Sequence, residues 1–468
     1  MNWMLRLMVV LGVSCGVVRA GGPPNFVVVL IDDMGWGDLS CFGNREGKTP
    51  AVDRLAAEGG RFSQFYVNAP ICSPSRCALV TGQYGQRWRV TSYLEKREAN
   101  RRRGMADWLD PAAPSLARML RSGGYATGHF GKWHLGGQRD VDDAPGIGQY
   151  GYDESLTNFE GMGPKVLPLT LKPGDVAPGK IWGDAERLGG PFRWVPRSEI
   201  TGAFVERAIG FMRGARTAGK PFYVNVWPDD VHTPLWPPVS DWREGKRGQY
   251  LAVLENLDRQ LGVLFEFLRS DAALRENTLV LLCSDNGAEL GAGSGGPLRG
   301  CKGSLYEGGI RSPLVVWGPG LMVKERAGFH NDRAVLAAMD VVPSLLRLSG
   351  VAVPEGVKFD GVDASEVLLG KAETLRRDDV ICWMRPPDRS VIKALSEAPL
   401  PDIAVREGEW KLLSALGGER AELYRVREDL GESKNLAADN PEVVARMMKA
   451  AREWLATLPP GSRDWLGK

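Results

Sequence analysis

The sequence predicts an α/β fold with one large mixed, mostly parallel sheet flanked by helices, followed by a smaller C-terminal α+β subdomain. Three observations support this prediction. Apolar, β-branched runs recur along most of the chain and are typical of strands buried on both faces. Helical patterns separate these runs, and short strand patterns with one helix follow Gly370. A chain of 468 residues has room for one large domain and a smaller companion.

The predicted strands of the large sheet share a nearly unbroken apolar pattern. They are Asn25 to Ile31, Phe62 to Val67, Tyr125 to Phe130, Pro221 to Trp227, Thr278 to Ser284 and Arg311 to Trp317. The predicted helices are Thr49 to Ala56, Pro114 to Arg121, Gly202 to Arg213, Gly248 to Leu268 and Ala337 to Leu348. The stretch from Gly136 to Pro196 is rich in Gly and Pro with weak periodicity, so we expect long loops over a cleft rim rather than a domain.

The end of the chain carries shorter patterns. Strands are expected at Asp379 to Met384, Glu409 to Leu413 and Glu422 to Tyr424, and a helix at Asn440 to Leu458. We therefore divide the chain into a main domain of residues 21–370 and a C-terminal subdomain of residues 371–468.

Residues 1–20 have the pattern of a signal peptide. Arg6 precedes an apolar run from Leu7 to Val18, and the stretch is too short to span a membrane. We expect a secreted or periplasmic protein. Cys15 leaves a lipoprotein open, although the residues before it make a poor lipobox. The net charge of +2 gives no indication of a nucleic-acid partner or of stable membrane association.

Polar side chains follow the predicted strands where they end. In chain order these are Asp32 and Asp33, Lys132 and His134, His232, and Asp285 and Asn286. Because the carboxyl ends of parallel strands meet at one edge of a sheet, one cleft would collect these side chains. The carboxylates and the amide oxygen suit Ca²⁺ better than Zn²⁺. Asp and Asn are also common turn residues at strand ends, which is the alternative for either pair alone.

The run Cys72-Ser73-Pro74-Ser75-Arg76-Cys77 follows a predicted strand and leads into an amphipathic segment. Cys72 should therefore face the first backbone N–H groups of a helix, where an anion could dock. The alternative is a buried thiol or one half of a disulfide, which Cys77 keeps open. The chain has seven cysteines, and without Cys15 and Cys72 an odd number remains, which argues against a full disulfide framework. Cys283 lies in an apolar run and is expected in the core.

The Cys-x-Pro-x-Arg run, followed at matching distance by Leu79, Thr81 and Gly82, resembles the signature of the type I sulfatases of the alkaline-phosphatase superfamily. Similar blocks continue from about Asn25 to the end of the chain. The resemblance implies an alkaline-phosphatase-like fold. It also implies that a formylglycine-generating enzyme oxidises Cys72 to formylglycine (3-oxoalanine). The implied ligands of one Ca²⁺ are the modified Cys72, Asp32, Asp33, Asp285 and Asn286.

The resemblance also implies roles for the basic residues. Arg76 would hold the formylglycine hydrate, and His134 would remove its second proton. Lys132, Lys302 and His232 would contact the sulfate, and His232 or Lys302 would protonate the leaving oxygen. The hydrate would attack sulfur in line, and a covalent sulfate ester would then release sulfate and regenerate the aldehyde.

The expected activity is that of a sulfatase that hydrolyses sulfate monoesters, with a sulfated carbohydrate as substrate. Trp227 and Trp236 flank the His232 block and could stack on sugar faces, although most tryptophans belong in cores. Two alternatives remain open. A formylglycine-dependent phosphonate or phosphodiester hydrolase shares the cysteine signature, and a catalytically silent glycan-binding protein would leave Cys72 unoxidised.

Other conspicuous residues are interpreted as structural. His129 and His330 are expected to be hydrogen-bonded structural histidines. The run from Lys96 to Arg103 could grip a polyanion, but nearby glutamates favour a solvated helix face. The segment from Tyr306 to Arg311 is expected to be scaffold.

Overall fold

A computed structural model describes residues 22–158, 160, 163–387, 400–464 and 466. The predicted signal peptide, including Cys15, lies outside these residues, so export remains a prediction. Within the described part of the chain, no helix combines the length and the apolar character needed to cross a membrane.

The described residues form strands and helices that alternate along most of the chain. The strands are β1 (Asn25–Ile31), β2 (Gly60–Tyr66), β3 (Ala126–Gly131), β4 (Glu154–Leu156), β5 (Lys165–Thr170), β6 (Gly179–Lys180), β7 (Phe192–Pro196), β8 (Phe222–Trp227), β9 (Thr278–Ser284), β10 (Arg311–Trp317), β11 (Phe329–Asn331), β12 (Leu336–Ala337), β13 (Ile381–Met384), β14 (Ile403–Glu407), β15 (Trp410–Ser414) and β16 (Glu422–Arg425). The α-helices are α1 (Pro50–Glu58), α2 (Cys72–Thr81), α3 (Arg97–Arg102), α4 (Leu116–Ser122), α5 (Ile200–Thr217), α6 (Gly245–Ser270), α7 (Ala272–Asn277), α8 (Glu307–Ile310), α9 (Val341–Ser349), α10 (Ser365–Leu368) and α11 (Pro441–Ala456).

The large sheet is mixed and mostly parallel, as predicted. Its strand order is β11-β2-β10-β9-β1-β8-β3-β4, with β12 also paired to β2. Strand β10 runs antiparallel to β2 and β9, and the other pairs are parallel. Ile31 at the end of β1 pairs with Ser284 at the end of β9, so the residues that follow leave the sheet side by side.

The core has one layer on each face of this sheet. Along β1, Phe26, Val28 and Leu30 belong to one hydrophobic cluster, and the intervening valines and Ile31 belong to the other. Helices α2, α4 and α9 contribute to the first cluster, and α1, α5 and α6 to the second. Because both faces are covered, every residue of β1 is buried, which explains its unbroken apolar pattern.

Most predicted elements agree with the structure to within a few residues. Strands β1, β9 and β10 have the predicted bounds, and α5 and α6 extend further than predicted at both ends. The predicted helix from Ala337 begins instead with a 3₁₀ turn, Ala338–Asp340, and continues as α9. The Asp340 carboxylate accepts the Ala337 backbone N–H at 2.7 Å and stabilises this tighter start.

The prediction that the stretch from Gly136 to Pro196 forms only loops is wrong. Strand β4 joins the edge of the large sheet beside β3, and β5, β6 and β7 form a separate three-stranded sheet with β5 at its centre. Val166 and Leu167 of β5 are fully buried. The strand signal is obscured because Pro168 interrupts β5 and the connecting segments are rich in glycine.

The C-terminal part is an α+β unit, as predicted. Strands β13 to β16 form an antiparallel sheet, and α11 packs on it. This sheet shares a hydrophobic cluster with residues that precede it in the chain. The Trp383 ring lies 5.6 Å from the Tyr66 ring at an interplanar angle of 53°, and its indole N–H donates to the Val67 carbonyl at 2.7 Å. The C-terminal sheet therefore packs against residues of the main domain, including Tyr66 of β2.

His129 is a packed residue inside β3, as predicted. Its ring lies 4.9 Å from the ring of Trp227 and 5.2 Å from that of Trp133, and its side chain is fully buried. The Asn225 amide donates to Nδ1 at 3.4 Å. Burial and the nearby Arg76 charge lower the pKa of His129 to about 3, so the folded protein holds this ring neutral.

Replacement of His129 by phenylalanine should reduce the pH dependence of stability. As the pH falls, the unfolded chain binds a proton at His129 near pH 6.5, whereas the folded chain binds it only near pH 3. Between these two values a lower pH therefore favours the unfolded chain, and the free energy of unfolding decreases. Urea unfolding between pH 8 and pH 5 should show a slope reduced by about 1.4 kcal/mol per pH unit at the acidic end. At pH 8, where His129 is neutral in both states, the difference in unfolding free energy between variant and parent reports the loss of His129 contacts without a protonation effect. An unchanged slope would contradict a neutral, buried His129.

Candidate functional site

The carboxyl edge of the large sheet collects the residues that the sequence singles out. Asp32 and Asp33 follow β1, Lys132 and His134 follow β3, His232 follows β8, and Asp285 and Asn286 follow β9. Cys72 is the first residue of α2, and Lys302 lies in the loop between β9 and β10. The structure brings all of these side chains, together with Arg76, to one place.

Cys72 lies at the centre of this group. Its sulfur and one carboxylate oxygen each from Asp32 and Asp285 lie within 4.8 Å of one another. The same sulfur forms a second group of this size with Asp33 and His232. Lys132 Nζ lies 3.9 Å from Cys72 Sγ. Residue 72 is therefore close to three carboxylates, to His232 and to the Lys132 ammonium.

The alternative of a disulfide at Cys72 is wrong. All six cysteines among the described residues are free, including Cys77. Cys283 is buried in the core, as predicted. Burial raises the pKa of the Cys72 thiol to about 12, against the opposing effect of Lys132. The unmodified thiol therefore stays protonated at neutral pH and supplies no thiolate nucleophile.

Arg76 links two of the acidic residues. Its Nε and Nη2 donate to Asp285 Oδ2 at 3.0 and 2.8 Å, and Nη2 lies 3.3 Å from Asp32 Oδ1. Its Nη1 donates to the Lys132 carbonyl at 2.8 Å, and the guanidinium lies 5.3 Å from the ring centre of Trp227. Arg76, Asp32 and Asp285 are all fully buried, so water does not screen these interactions.

The pKa values of Asp32 and Asp285 are shifted in opposite directions by their surroundings. Burial would raise the pKa of Asp32, but the Lys132 ammonium at 2.5 Å and the neighbouring cations hold it well below its ordinary value. Burial and the adjacent Asp32 carboxylate raise the pKa of Asp285 to about 7. Without a further cation, the site therefore tends to keep a proton on one of the two carboxyl groups.

Asp33 organises the other side of the group. Its Oδ2 accepts Lys302 Nζ at 2.6 Å and lies 3.6 Å from His232 Nε2. Its Oδ1 accepts the Asn286 amide N–H at 2.8 Å. The backbone of Asp33 is left-handed, with φ of 62°, which turns its side chain back toward the sheet edge.

The donor set fits a hard cation such as Ca²⁺. Three carboxylates meet here, and Asn286 Oδ1 is buried and accepts no hydrogen bond from the described residues. Because Asn286 gives its amide N–H to Asp33, its oxygen is oriented away from that carboxylate and is available as a ligand. The oxygen donors of this set, which are three carboxylates and one amide, are typical of calcium sites. The residues predicted as metal ligands can therefore act together.

His134 is held by its backbone and by its ring. Its backbone is left-handed, with φ of 55°, and its N–H donates to Glu160 Oε1 at 2.9 Å. Nε2 lies 3.1 Å from the Leu94 carbonyl, which assigns the ring proton to Nε2 and leaves Nδ1 as the basic nitrogen. Burial and the charges of Lys132 and Arg76 lower the pKa of His134 well below its usual value. The ring is therefore neutral at pH 7 and able to accept a proton.

The sequence gives no clear signal for Glu160, and it suggests a wrong environment for Trp227. Glu160, which holds the His134 turn, is buried in the Gly- and Pro-rich stretch without periodicity. Trp227 was predicted as a possible sugar platform, but it is fully buried beneath Arg76, so that prediction is wrong. Trp236 is half-buried and lies 6.2 Å from the ring of Trp242, so it remains a candidate for sugar contact.

The residues interpreted as structural lie outside the group. The exposed Arg101 and Arg102 pair with Glu98 on α3, which confirms a solvated helix face. His330 is exposed on β11. Glu307 is buried and forms ion pairs with Arg311 and Lys411. None of these side chains approaches Cys72 in the contacts of the described residues.

Comparisons with known proteins identify the family and the fold. Residues 24–351 match the sequence profile of the Sulfatase family. The chain is 31% identical over 381 residues to N-acetylgalactosamine-6-sulfatase of Canis lupus familiaris, covering 79% of this chain and 70% of the relative. It is 32% identical over 480 residues to arylsulfatase G of Rattus norvegicus, covering 92% and 85%. The crystal structure of Ps i-CgsB in complex with k-i-k-neocarrahexaose superposes with a TM-score of 0.77, at 24% identity over 95% of both chains, which supports the fold.

Proposed function

Since this chain belongs to the sulfatase family of sulfuric ester hydrolases, we propose that it hydrolyses sulfate monoesters of a carbohydrate through a formylglycine made from Cys72. The placement of Cys72 carries this proposal. It lies at the start of α2 beside Asp32, Asp285 and Lys132, and its buried thiol is protonated at neutral pH. Oxidation to an aldehyde by a formylglycine-generating enzyme would supply, as the hydrate, the nucleophilic oxygen that the thiol lacks.

A bound Ca²⁺ fits the ligands Asp32, Asp33, Asp285 and Asn286 together with residue 72. When bound, the ion would lower the pKa of a hydroxyl on residue 72 and offset negative charge on a sulfate oxygen. The raised pKa of Asp285 supports this proposal, because a divalent cation would compensate the charge that burial disfavours.

The basic residues would bind and orient the sulfate. The pKa of Lys132 and of Lys302 is raised by neighbouring carboxylates despite burial, so both ammonium groups stay charged. Lys132, which is paired with Asp32, and Lys302, which is paired with Asp33, would bind the sulfate oxygens and stabilise charge in the transition state. Arg76 would orient residue 72 through its fixed contacts with Asp32 and Asp285.

Two histidines would move protons. His134 is neutral and would take a proton from the hydroxyl group on residue 72 as sulfate leaves. His232 is half-buried, and its Nδ1 lies 2.6 Å from the Thr233 carbonyl, which fixes its ring with Nε2 toward Asp33 and the site. His232, in the form that carries a second proton on Nε2, or Lys302 would give the leaving alcohol oxygen its proton.

A sulfated carbohydrate is the proposed substrate class. The name of the canine relative specifies a sulfated amino sugar, and Ps i-CgsB was crystallised with an oligosaccharide. The predicted signal peptide supports an exported enzyme that meets glycans outside the cytoplasm. Trp236 near the His232 block is the candidate surface for a sugar ring.

A matched substrate series tests this function. The protein is produced with a formylglycine-generating enzyme, and the mass of the peptide around residue 72 confirms conversion. Aryl sulfate, aryl phosphate, phosphonate and phosphodiester are then compared, followed by a panel of sulfated glycans. We expect preference for sulfate, release of sulfate from one glycan class, and loss of turnover on chelation that Ca²⁺ restores. Preference for phosphonate or phosphodiester, or no turnover by converted protein, would contradict the proposal.

A further inference from the structure

Lys302 lies on a loop that the C-terminal subdomain contacts at both ends. We call residues 299–307 the Lys302 loop. Arg299 at its start and Glu307 at its end both contact residues of strands β15 and β16 or of the segment after them. The C-terminal subdomain therefore contacts the two ends of the segment that carries a proposed sulfate-binding residue.

The first end is held by a partly exposed set of contacts. Arg299 Nη1 donates to Glu422 Oε2 at 3.1 Å, to the Tyr424 hydroxyl at 3.2 Å and to the Glu432 carbonyl at 3.1 Å. Its guanidinium also stacks 3.8 Å from the ring centre of Tyr306. Because Arg299 and Glu422 are both partly exposed, solvent weakens this end of the loop's attachment.

The second end is held by a fully buried set of charges. Lys411 Nζ lies 3.0 Å from Glu307 Oε1 and 2.8 Å from Glu432 Oε1. Glu432 Oε2 also accepts the backbone N–H of Glu307 at 2.7 Å. The remaining oxygen of Glu307 accepts the Tyr66 hydroxyl at 2.8 Å and an Arg311 N–H at 3.1 Å. Charge-assisted hydrogen bonds are stronger than neutral ones, so these buried contacts hold Glu307 in position.

The loop transmits that position to Lys302. The backbone N–H of Lys302 donates to the Ala288 carbonyl at 2.9 Å, and that of Gly303 donates to the Pro70 carbonyl at 2.7 Å. The N–H of Gly308 closes the loop on the Arg299 carbonyl at 2.7 Å. The first two contacts tie the middle of the loop to the main domain, and the third joins its two ends. A movement of Glu307 would therefore strain the closed turn that carries Lys302.

We propose that Lys411 and Glu432 are positioning residues that hold Lys302 in the active site. The inference rests on the proposed role of Lys302 in binding sulfate. Without the Lys411 ammonium, the carboxylates of Glu307 and Glu432 would face each other in a buried space with no cation between them. Their separation would move the end of the Lys302 loop, and a displacement of about 1 Å at a catalytic group can cost about 100-fold in rate.

A double-substitution experiment separates positioning from general stability. Lys411→Met is made in the full chain with native Lys302 and with Lys302→Ala. We expect Lys411→Met to lower kcat for an aryl sulfate by about 100-fold with a smaller change in KM when Lys302 is present. With Lys302→Ala, the same change should alter kcat within about twofold, because no ammonium remains to be displaced. An equal loss in both backgrounds would overturn the proposal.

Hydrogen exchange gives a readout that does not depend on turnover. The amides of Lys302, Gly303 and Gly308 should exchange faster in Lys411→Met than in the parent protein, while amides of β1 remain unchanged. Adding Glu432→Gln, which removes the second carboxylate charge, should slow this exchange again. Lys449→Met, at a lysine whose side chain is 77% exposed on the same subdomain, is the matched control and should change nothing.

The two readouts distinguish two kinds of failure. Unchanged exchange in the loop would overturn the positioning role, whatever the activity. Faster exchange in a converted protein that hydrolyses no sulfate ester would support the anchoring of the loop and overturn the proposed function.

Discussion

Replacing Cys72 with alanine should abolish sulfate ester hydrolysis while leaving the protein folded. The substitution removes the thiol group that is oxidised to the formylglycine aldehyde. No nucleophile can therefore form at residue 72. Loss of a covalent nucleophile can lower kcat on the order of 10⁶-fold. The cost in stability should be about 1 kcal/mol, since alanine suits the first turn of α2 and only one buried atom is lost.

Cys77→Ala is the matched control for this prediction. Cys77 lies in the same helix, is also fully buried, and its sulfur contacts the Thr81 hydroxyl at 4.0 Å rather than the acidic group. The two variants should unfold at similar urea concentrations, and only Cys72→Ala should lose turnover. Activity that survives in Cys72→Ala at more than trace level would rule out a nucleophile derived from residue 72.

Much of the site was predictable because strand ends in a parallel sheet are a topological feature. Unbroken apolar runs identify buried strands, and the first polar residues after them fall at the same edge. Asp32 and Asp285 follow strands that pair in register to their last residues, so two segments far apart in sequence supply neighbouring carboxylates. The Cys72 run adds a helix start at this edge, which the structure places at the first residue of α2.

The rest could not be predicted because it depends on long-range contacts without a local pattern. Glu160 holds the His134 turn from a stretch that lacks periodicity, and its partner is a backbone N–H. Lys411 lies in an ordinary strand pattern, and only the fold shows that its ammonium is enclosed by two glutamates. Trp227 was misjudged for a related reason, since a tryptophan at a strand end can face either the cleft or the core.

Replacing Arg76 with methionine should destabilise the protein strongly and abolish turnover. Methionine fills similar volume but leaves the buried carboxylates of Asp32 and Asp285 without their shared partner. Breaking a buried ion pair from one side costs about 3–5 kcal/mol. Arg101→Met, at a side chain that is 76% exposed, is the matched control and should be nearly neutral.

The destabilisation by Arg76→Met should depend on pH and on Ca²⁺. The pKa of Asp285 is already raised to about 7 by burial and by Asp32, and loss of the Arg76 charge would raise it further. A carboxyl group whose folded pKa lies above its unfolded value stabilises the fold at low pH and loses that contribution as the pH rises through the folded pKa. In a chelator, the loss of stability should therefore be larger at pH 8 than at pH 5, as measured by urea unfolding.

Combining Arg76→Met with Asp285→Asn identifies the cause. If the penalty comes from the uncompensated carboxylate, Asp285→Asn should recover part of the lost stability in the Arg76→Met background and should remove part of its pH dependence. Ca²⁺ should reduce the penalty of Arg76→Met in the single variant, because a divalent cation supplies the missing positive charge, and should do so less in the double variant. A penalty that is independent of pH, of Ca²⁺ and of Asp285 would show that Arg76 acts by packing against Trp227 rather than by compensating the acidic group.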